Sequence, residues 1–391
     1  MERQDFDAIV VGAGMAGATA AAQLALTHRV APEARGRKVA PEARGMKVAL
    51  LEAEESAGYH STGRSAAIWI LNYGPPDVRR LTGASRSFFE APPPGFAAAP
   101  LLARRPVVTL APVEQRGALE AMLAAGEGLE PIAVVEVAAM GVPLRPGHAV
   151  AAAIERDAFD IDVAALHQGF LQSLRRAGGV LALRHRAGRI ERRNGRWEAE
   201  TSAGTVFAAP VIVNAAGAWG DEVARIAGVA PIGLQPKRRT ALIVDPGAHD
   251  CTNWPLLGDA GHSWYVRPEA RRKLMVSPAD ETDMPPHDVQ PDEMDVAIAV
   301  DRMQQALDIP VHRVEHRWAG LRSFTPDRSL AIGQDADAAG FFWMIGQGGY
   351  GIQTAPAAGA LLATLIRGDD PGALAPVVPL VDPNRFWRSR A

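Results

Sequence analysis

The strongest constraint on this chain lies near its start. Phe6-Asp7-Ala8-Ile9-Val10-Val11 is a short apolar, β-branched run suited to a buried parallel strand. Gly12-Ala13-Gly14-Met15-Ala16-Gly17 follows at once, and Ala18–Leu26, almost all alanine and leucine, reads as a helix. A glycine triplet alone says little. Set between a strand and a helix, it has a mechanism. Gly12 permits the tight turn, Gly14 lets backbone approach a pyrophosphate, and Gly17 lets helix and strand pack closely. The helix start then turns unpaired N–H groups and a partial positive charge towards phosphates. The expectation is a dinucleotide-binding βαβ unit whose cradle includes Gly12, Gly14, Met15, Ala16 and Gly17. A glycine turn without a ligand is the other reading.

The acid expected on the ribose comes late. Lys47–Leu51 is the next strand and Glu52 ends it, followed by Ala53, yet Gly17 and Glu52 are 35 positions apart. A separation of about 20 is usual. Val30–Lys38 reads VAPEARGRK and Val39–Lys47 reads VAPEARGMK, a nine-residue tandem duplication with one change. Without its eighteen residues the spacing is 17, an ordinary value for this unit. Proline and glycine in each copy oppose one continuous helix, so the repeat reads as a surface excursion. Two copies are too few for a solenoid.

Composition narrows the function classes. Net charge is −3, from 41 basic and 44 acidic residues, which argues against nucleic acid as the main partner. One cysteine excludes an internal disulfide, an iron–sulfur cluster and a cysteine-rich zinc site. The histidines are scattered without zinc-ligand spacing, so no metal is expected. The four lysines, Lys38, Lys47, Lys237 and Lys273, sit in no cleft motif that suggests a Schiff base. The N-terminus is acidic where a signal peptide starts basic, and no run of about 18 apolar residues exists. The expected location is the cytoplasm, with peripheral membrane contact left open.

Further motifs extend the picture. Gly58–Ala67 reads GYHSTGRSAA, and Ser61 or Thr62 could cap a following helix. Val211–Trp219 reads VIVNAAGAW, a buried strand entering a glycine turn. Phe341–Ile352 reads FFWMIGQGGYGI and leads into an alanine-rich helix at 355–366. This third strand-to-glycine site suits a flavin better than a nicotinamide, because the N1–C2=O locus of a flavin becomes anionic on reduction and a helix start stabilises that charge.

With LHQGF from Leu166, LQPKRR from Leu234 and WAGLRSFTPD from Trp318 added, the chain closely resembles the D-amino acid oxidase superfamily of flavoproteins. Within it, the motifs look most like those of bacterial D-arginine and related D-amino acid dehydrogenases. The resemblance spans nearly the whole chain apart from the duplicated insert. It implies an α/β fold, α+β overall, in which a Rossmann-like FAD-binding domain (1–80, 150–225 and 325–391) interleaves with a mixed-sheet substrate domain (81–149 and 226–324). It further implies non-covalent FAD, held by the first cradle together with Glu52, Ala53, His60, Ser61, Thr62, Ser65, Ala66, Ala67, Ala216, Gly217, Trp219, Gly348, Gly349, Tyr350, Gly351 and Ile352. The implied reaction is oxidative deamination: a hydride passes from Cα to flavin N5, and the imine hydrolyses to a keto acid and ammonia. Arg239 and Arg322 fall on the carboxylate-binding positions, Tyr73 and Tyr265 on the substrate pocket, and Gln347 and Gly348 near the amine. Arginine suits that task because its planar fork donates two parallel hydrogen bonds. Alternation along a strand allows only one of Arg238 and Arg239 to face the flavin. No general base is assigned, since a neutral amine needs none.

Two positions depart from the arginine-acting relatives. Ile68 stands where they carry a histidine, and Val107 where a glutamate pairs with the cationic side chain. Burying a guanidinium without a counter-charge costs several kcal/mol. Neutral or apolar side chains are therefore expected to be favoured over D-arginine and D-lysine. The same departure leaves room for an oxidase of secondary or cyclic amines, similar to glycine and sarcosine oxidases, and a non-catalytic flavin-binding protein is a further reading. Cys251 lies away from the motif segments, and His60 is a poor candidate for a covalent tether. The expected partners are a small D-amino acid or amine and an electron acceptor (a quinone, dye or dioxygen). A monomer is allowed. Pro-rich stretches at Ala91–Gly95 and Pro285–Pro291 read as loops over or beside the site.

Overall fold

The computed structural model describes residues 2–26 and 45–388. The duplicated segment at 30–47 lies outside them, apart from Gly45, Met46 and Lys47. The strand expected near Phe6 is Ala8–Val11, and the helix after the glycines is Met15–Ala25. The strand sits inside a six-stranded sheet in the order Val180–Ala182, Val48–Leu51, Ala8–Val11, Val211–Asn214, Phe341–Ile345, Ala331–Gln334. All neighbours are parallel except the last pair. The chain builds outward on one side of Ala8–Val11 and then crosses to the other. That reversal opens a crevice at the carboxyl ends of the strands, where open α/β sheets bind ligands.

Both faces of this sheet are buried, which explains its nearly continuous apolar strands. Ala8, Val10, Val48, Leu50 and Val213 face a helical layer formed by Met15–Ala25, Val163–Arg176 and Ala355–Arg367. Ile9, Val11, Ala49, Leu51 and Ile212 face the opposite way, against Trp197 and Phe207 of a four-stranded sheet. Truncating a fully buried residue such as Leu50 to alanine would cost about 2–5 kcal/mol. Close approach matters too. A Cβ on Gly17 would lie 1.7 Å from the Gly12 carbonyl oxygen, and one on Gly359 would lie 2.5 Å from Thr19 Oγ1. These two glycines bring the helix onto its strand and the two helices onto each other.

An eight-stranded sheet runs Val314–Phe324, Gln235–Val244, Lys273–Ser277, Tyr265–Glu269, Leu256–Asp259, Val107–Ala111, Ala151–Glu155, Leu129–Ile132. It is antiparallel except where Leu256–Asp259 meets Val107–Ala111 in parallel. It has its own apolar core beneath helix Glu293–Ala306, including Val108, Leu242, Leu257, Trp254 and Met303. Two layered sheets with helices give the mixed α/β architecture expected from the sequence.

The expected domain limits shift at two places. Strand Ala151–Glu155, placed with the nucleotide unit by a boundary at 150, lies in the eight-stranded sheet. Helix Pro76–Glu90, cut by a boundary at 80, packs as one piece with the nucleotide-side core through Val78, Leu81 and Phe89. A helix after Ser61 is also absent. Residues 59–64 form turns, closed by bonds from Gly63 N–H to the Gly58 and His60 carbonyls, and the next element is strand Ile68–Trp69. No described helix is long and apolar enough to cross a membrane, and no described group of three or more His, Cys, Asp or Glu could hold a metal.

Candidate active site

One cavity of about 400 Å³ runs from the carboxyl ends of the six-stranded sheet to one face of the eight-stranded sheet. Its nucleotide end is built by the first glycine turn. Gly12 has φ +100, and a Cβ there would lie 2.6 Å from the Ala215 carbonyl oxygen. Only glycine satisfies both the turn and the contact. Glu52 Oε2 accepts the Ala13 N–H at 2.9 Å, and its Oε1 accepts the Glu54 N–H at 3.0 Å, so the acid braces the cradle it was expected to serve. Thr62 Oγ1 accepts the Met15 N–H at 2.9 Å. It therefore caps the helix after the fingerprint, not one following itself. Any pyrophosphate would rest on the remaining N–H groups of the turn.

The GYHSTGRSAA loop ties the two sheets together. Ser61 Oγ donates to the Leu321 carbonyl at 2.6 Å, and Arg64 Nη1 donates to the Ala319 carbonyl at 3.0 Å. Arg64 also pairs with Asp288 at 2.5 Å, which sets the 285–291 loop beside the cavity. The His60 ring lies 4.6 Å from that of Trp219, and its Nε2 is 3.1 Å from Glu54 Oε1.

The far end is built by register. Arg239 pairs with Gly320 across the antiparallel strands, and Lys237 pairs with Arg322. Arg239 and Arg322 are thus diagonal neighbours on one face, a separation within reach of long side chains. Both line the cavity with Tyr265 and Gly320. Arg238 points the other way, 2.7 Å from Asp295, as alternation requires. Arg239 Nε donates to the Asp280 carbonyl at 2.9 Å. Arg322 Nη1 donates to Tyr73 Oη at 3.0 Å, and Arg322 has no carboxylate within 4.0 Å among the described residues. Burial and then the neighbouring Arg322 push the Arg239 guanidinium below its ordinary value. Burial alone would raise the Tyr265 phenol, yet Arg322 and Arg239 together pull it below its usual range. The two guanidinium groups repel each other across the cavity wall, with Glu281 3.4 Å from Arg239 as a partial counter-charge, and an anion between them would relieve that repulsion.

The third glycine segment closes the site. Gln347, Gly348, Gly349, Gly351 and Ile352 line the cavity ahead of helix Ala355–Arg367. A Cβ on Gly349 would lie 2.7 Å from Tyr73 Oη and 2.9 Å from Arg322 Nη1, and one on Gly348 would enter the Phe324 ring at 2.4 Å.

Most residues expected at the site are brought together here: Gly12, Gly14, Met15, Ala16, Glu52, Ala53, His60, Ser61, Thr62, Ser65, Ala66, Ala216, Gly217, Trp219, Arg239, Tyr265 and Arg322 all line the cavity, as do the third-segment residues apart from Tyr350. Four do not. Gly17 is a packing contact. Ala67 packs into the core, its carbonyl accepting the Ile161 N–H. Tyr350 is 5% exposed and packs edge-on against Tyr73, with ring centroids 5.1 Å apart. Tyr73 reaches the site through its bond to Arg322. Ile68 and Val107 are likewise outside the cavity lining.

Sequence reasoning missed His185, Arg186 and Ala187, which line the nucleotide end. They carry no motif. The parallel pairing of Val180–Ala182 with Val48–Leu51 delivers them, and the His185 N–H then donates to the Glu52 carbonyl at 2.7 Å. His167, inside LHQGF, was missed as a support. Its Nε2 is 3.0 Å from the Ala13 carbonyl oxygen, and burial lowers its pKa, so the neutral ring donates to the glycine turn. Cys251 is buried in the core of the eight-stranded sheet, 3.4 Å from the Lys273 carbonyl oxygen, and no cysteine lines the cavity.

Comparisons with known proteins agree with this fold. The chain superposes on the crystal structure of L-proline dehydrogenase from P. horikoshii with a TM-score of 0.80 at 20% identity, covering 100% of this chain and 99% of that one. Glycine oxidase from Geobacillus kaustophilus gives 0.79 at 19% identity, covering 96% and 98%. Among curated proteins, the FAD-dependent oxidoreductase domain-containing protein 1 of Xenopus laevis is 28% identical over 182 residues, 40% of this chain and 34% of that protein. The chain thus matches about a third of that relative's length. The model of FAD dependent oxidoreductases matches residues 7–365. A cradle where a Cβ on Gly12 would strike backbone, opening into a cavity at the sheet's switch point, fits the FAD this family carries, and the chain belongs to the family of FAD-dependent oxidoreductases.

Proposed function

We propose that this chain is an amino-acid dehydrogenase or oxidase that removes a hydride from the Cα of a D-amino acid, with neutral or apolar side chains favoured. The observation carrying the reading is that Arg239 and Arg322 share one face of a strand pair and open into the cavity that also holds the glycine cradle. A carboxylate bridging them would relieve the repulsion between the two cations. FAD, when bound, supplies the hydride acceptor. Arg239 and Arg322 would hold the substrate carboxylate, and Tyr73 and Tyr265 would limit its rotation. Such fixation brings Cα to about 3–3.5 Å from its acceptor. Gln347 and the backbone of Gly348 would lie beside the amine, which reacts as the neutral base. The FAD is non-covalent, in keeping with a cavity that no cysteine lines.

The preference for neutral side chains rests on charge. The carboxylates lining the cavity are Glu52, Glu54 and Glu222, all at the nucleotide end. None of these sits near the arginine pair, and Glu281, which does, is outside the cavity lining and already paired with Arg328. The position matching the relatives' glutamate, Val107, is out of the cavity altogether, as is Ile68. This separates the chain from the D-arginine dehydrogenases its motifs resemble. A second reading, oxidation of a secondary or cyclic amino acid, is favoured by the fold neighbour named for proline. An anaerobic screen of the purified yellow protein against both enantiomers of the common amino acids, together with proline and sarcosine, separates these readings by which compound bleaches the flavin fastest. No bleaching by any carboxylated amine would refute both.

A further inference from the structure

The carboxylate clamp has a carboxylate of its own nearby. Glu281 Oε1 lies 3.4 Å from Arg239 Nη2, the only carboxylate within 4.0 Å of either clamp arginine among the described residues. It is also engaged from outside. Arg328 Nη1 donates to Glu281 Oε2 at 3.0 Å and Arg328 Nη2 to Glu281 Oε1 at 2.9 Å, a two-point pair. The Arg239 contact is long and single, whereas the Arg328 contact is short and double. Arg328 is held for this role. Its backbone takes φ +65, a left-handed conformation costly for arginine, at the end of a turn closed by its N–H to the Thr325 carbonyl. Its guanidinium sits 3.9 Å over the Phe324 ring, and that ring bounds Gly348 of the cavity.

We propose that Arg328 is a positioning residue that draws Glu281 off Arg239 and so keeps Arg239 free for a ligand carboxylate. This rests on the carboxylate-clamp reading above. Glu281 is an internal competitor. Burial alone would raise its carboxyl, but the Arg328 bonds, with Arg239 and Arg322 further off, hold it below its ordinary range and therefore anionic. Released from Arg328, it needs to close only a few tenths of an ångström to make a full hydrogen bond to Arg239.

The test is benzoate binding to the FAD-loaded protein, followed by the change in the visible flavin spectrum, with substrate KM and kcat measured alongside. Arg328→Ala should weaken benzoate about tenfold and raise KM by a similar factor, with kcat changed little. Glu281→Gln should bind benzoate at least as tightly as the natural chain. The double variant R328A/E281Q should recover most of the lost affinity, which simple damage by R328A would not allow. Equal benzoate affinity in R328A and the natural chain, or no recovery in the double variant, overturns the proposal while leaving the clamp intact. A natural chain that binds no benzoate overturns the clamp and this proposal together.

Discussion

Removing Arg322 is the sharpest perturbation of the proposed clamp. Its guanidinium is half-buried on the cavity wall, bonded to Tyr73 Oη, with no carboxylate within 4.0 Å among the described residues. In Arg322→Ala a substrate carboxylate loses up to two charge-assisted hydrogen bonds, each worth about 1.5–3 kcal/mol. Allowing for water entering the gap, a net loss of about 3 kcal/mol is expected, roughly a hundredfold in the limiting reduction rate over Kd. The reference is the same measurement with the corresponding amine that lacks a carboxylate, which should change little. Arg322→Lys keeps the charge but not the fork and should fall between the two. The free protein should lose a little stability, because, against the effect of burial, Tyr73, Tyr265 and Glu281 hold the Arg322 charge above its ordinary value and the deletion strands the Tyr73 hydroxyl; its Tm should fall by a few degrees at most. Anaerobic stopped-flow reduction with both substrates, plus a thermal melt, completes the assay. An R322A enzyme that loses less than threefold on the amino acid, or equally on the decarboxylated amine, would refute the clamp.

Three further outcomes are expected. Gly12→Ala, which forces a Cβ against the Ala215 carbonyl at φ +100, should yield protein with little bound FAD, read from the visible absorbance of the purified chain. D-Arginine and D-lysine should reduce the flavin far more slowly than D-leucine or D-methionine, since no carboxylate lines the substrate end; fastest reduction by D-arginine would contradict this. Because burial depresses the His167 pKa, the unfolded chain binds a proton that the folded one refuses, so stability should fall as pH drops below about 6.5. His148 is shifted the same way by burial, so the measurement is the difference between the natural chain and His167→Gln, whose melting should depend less on pH.

Much of the site was legible because local chemistry wrote it. The strand–glycine–helix pattern at 6–26 needed no partner to be understood, since φ +100 at Gly12 and the close packing at Gly17 are properties of the turn itself. Alternation correctly separated Arg239 from Arg238. Where reasoning went astray, the cause was a side chain answering a distant backbone group. The sequence suggests Ser61 or Thr62 as the cap of a following helix, but Thr62 caps Met15, 47 positions earlier. Tyr350, inside a cofactor motif, turned into the core against Tyr73. The cut at 150 failed because Ala151–Glu155 pairs with Val107–Ala111, and no local signal tells a strand which sheet it will join.

The sequence alone therefore determined the nucleotide cradle and the identity of the arginines, because those depend on backbone freedom and residue chemistry. Only the tertiary structure decided that Arg239 and Arg322 meet. Their 83-residue separation is closed by an antiparallel register, and register is set by which faces two strands must bury together. The same folding carries Glu281 and Arg328 to the rim of that pair, an arrangement no local spacing encodes.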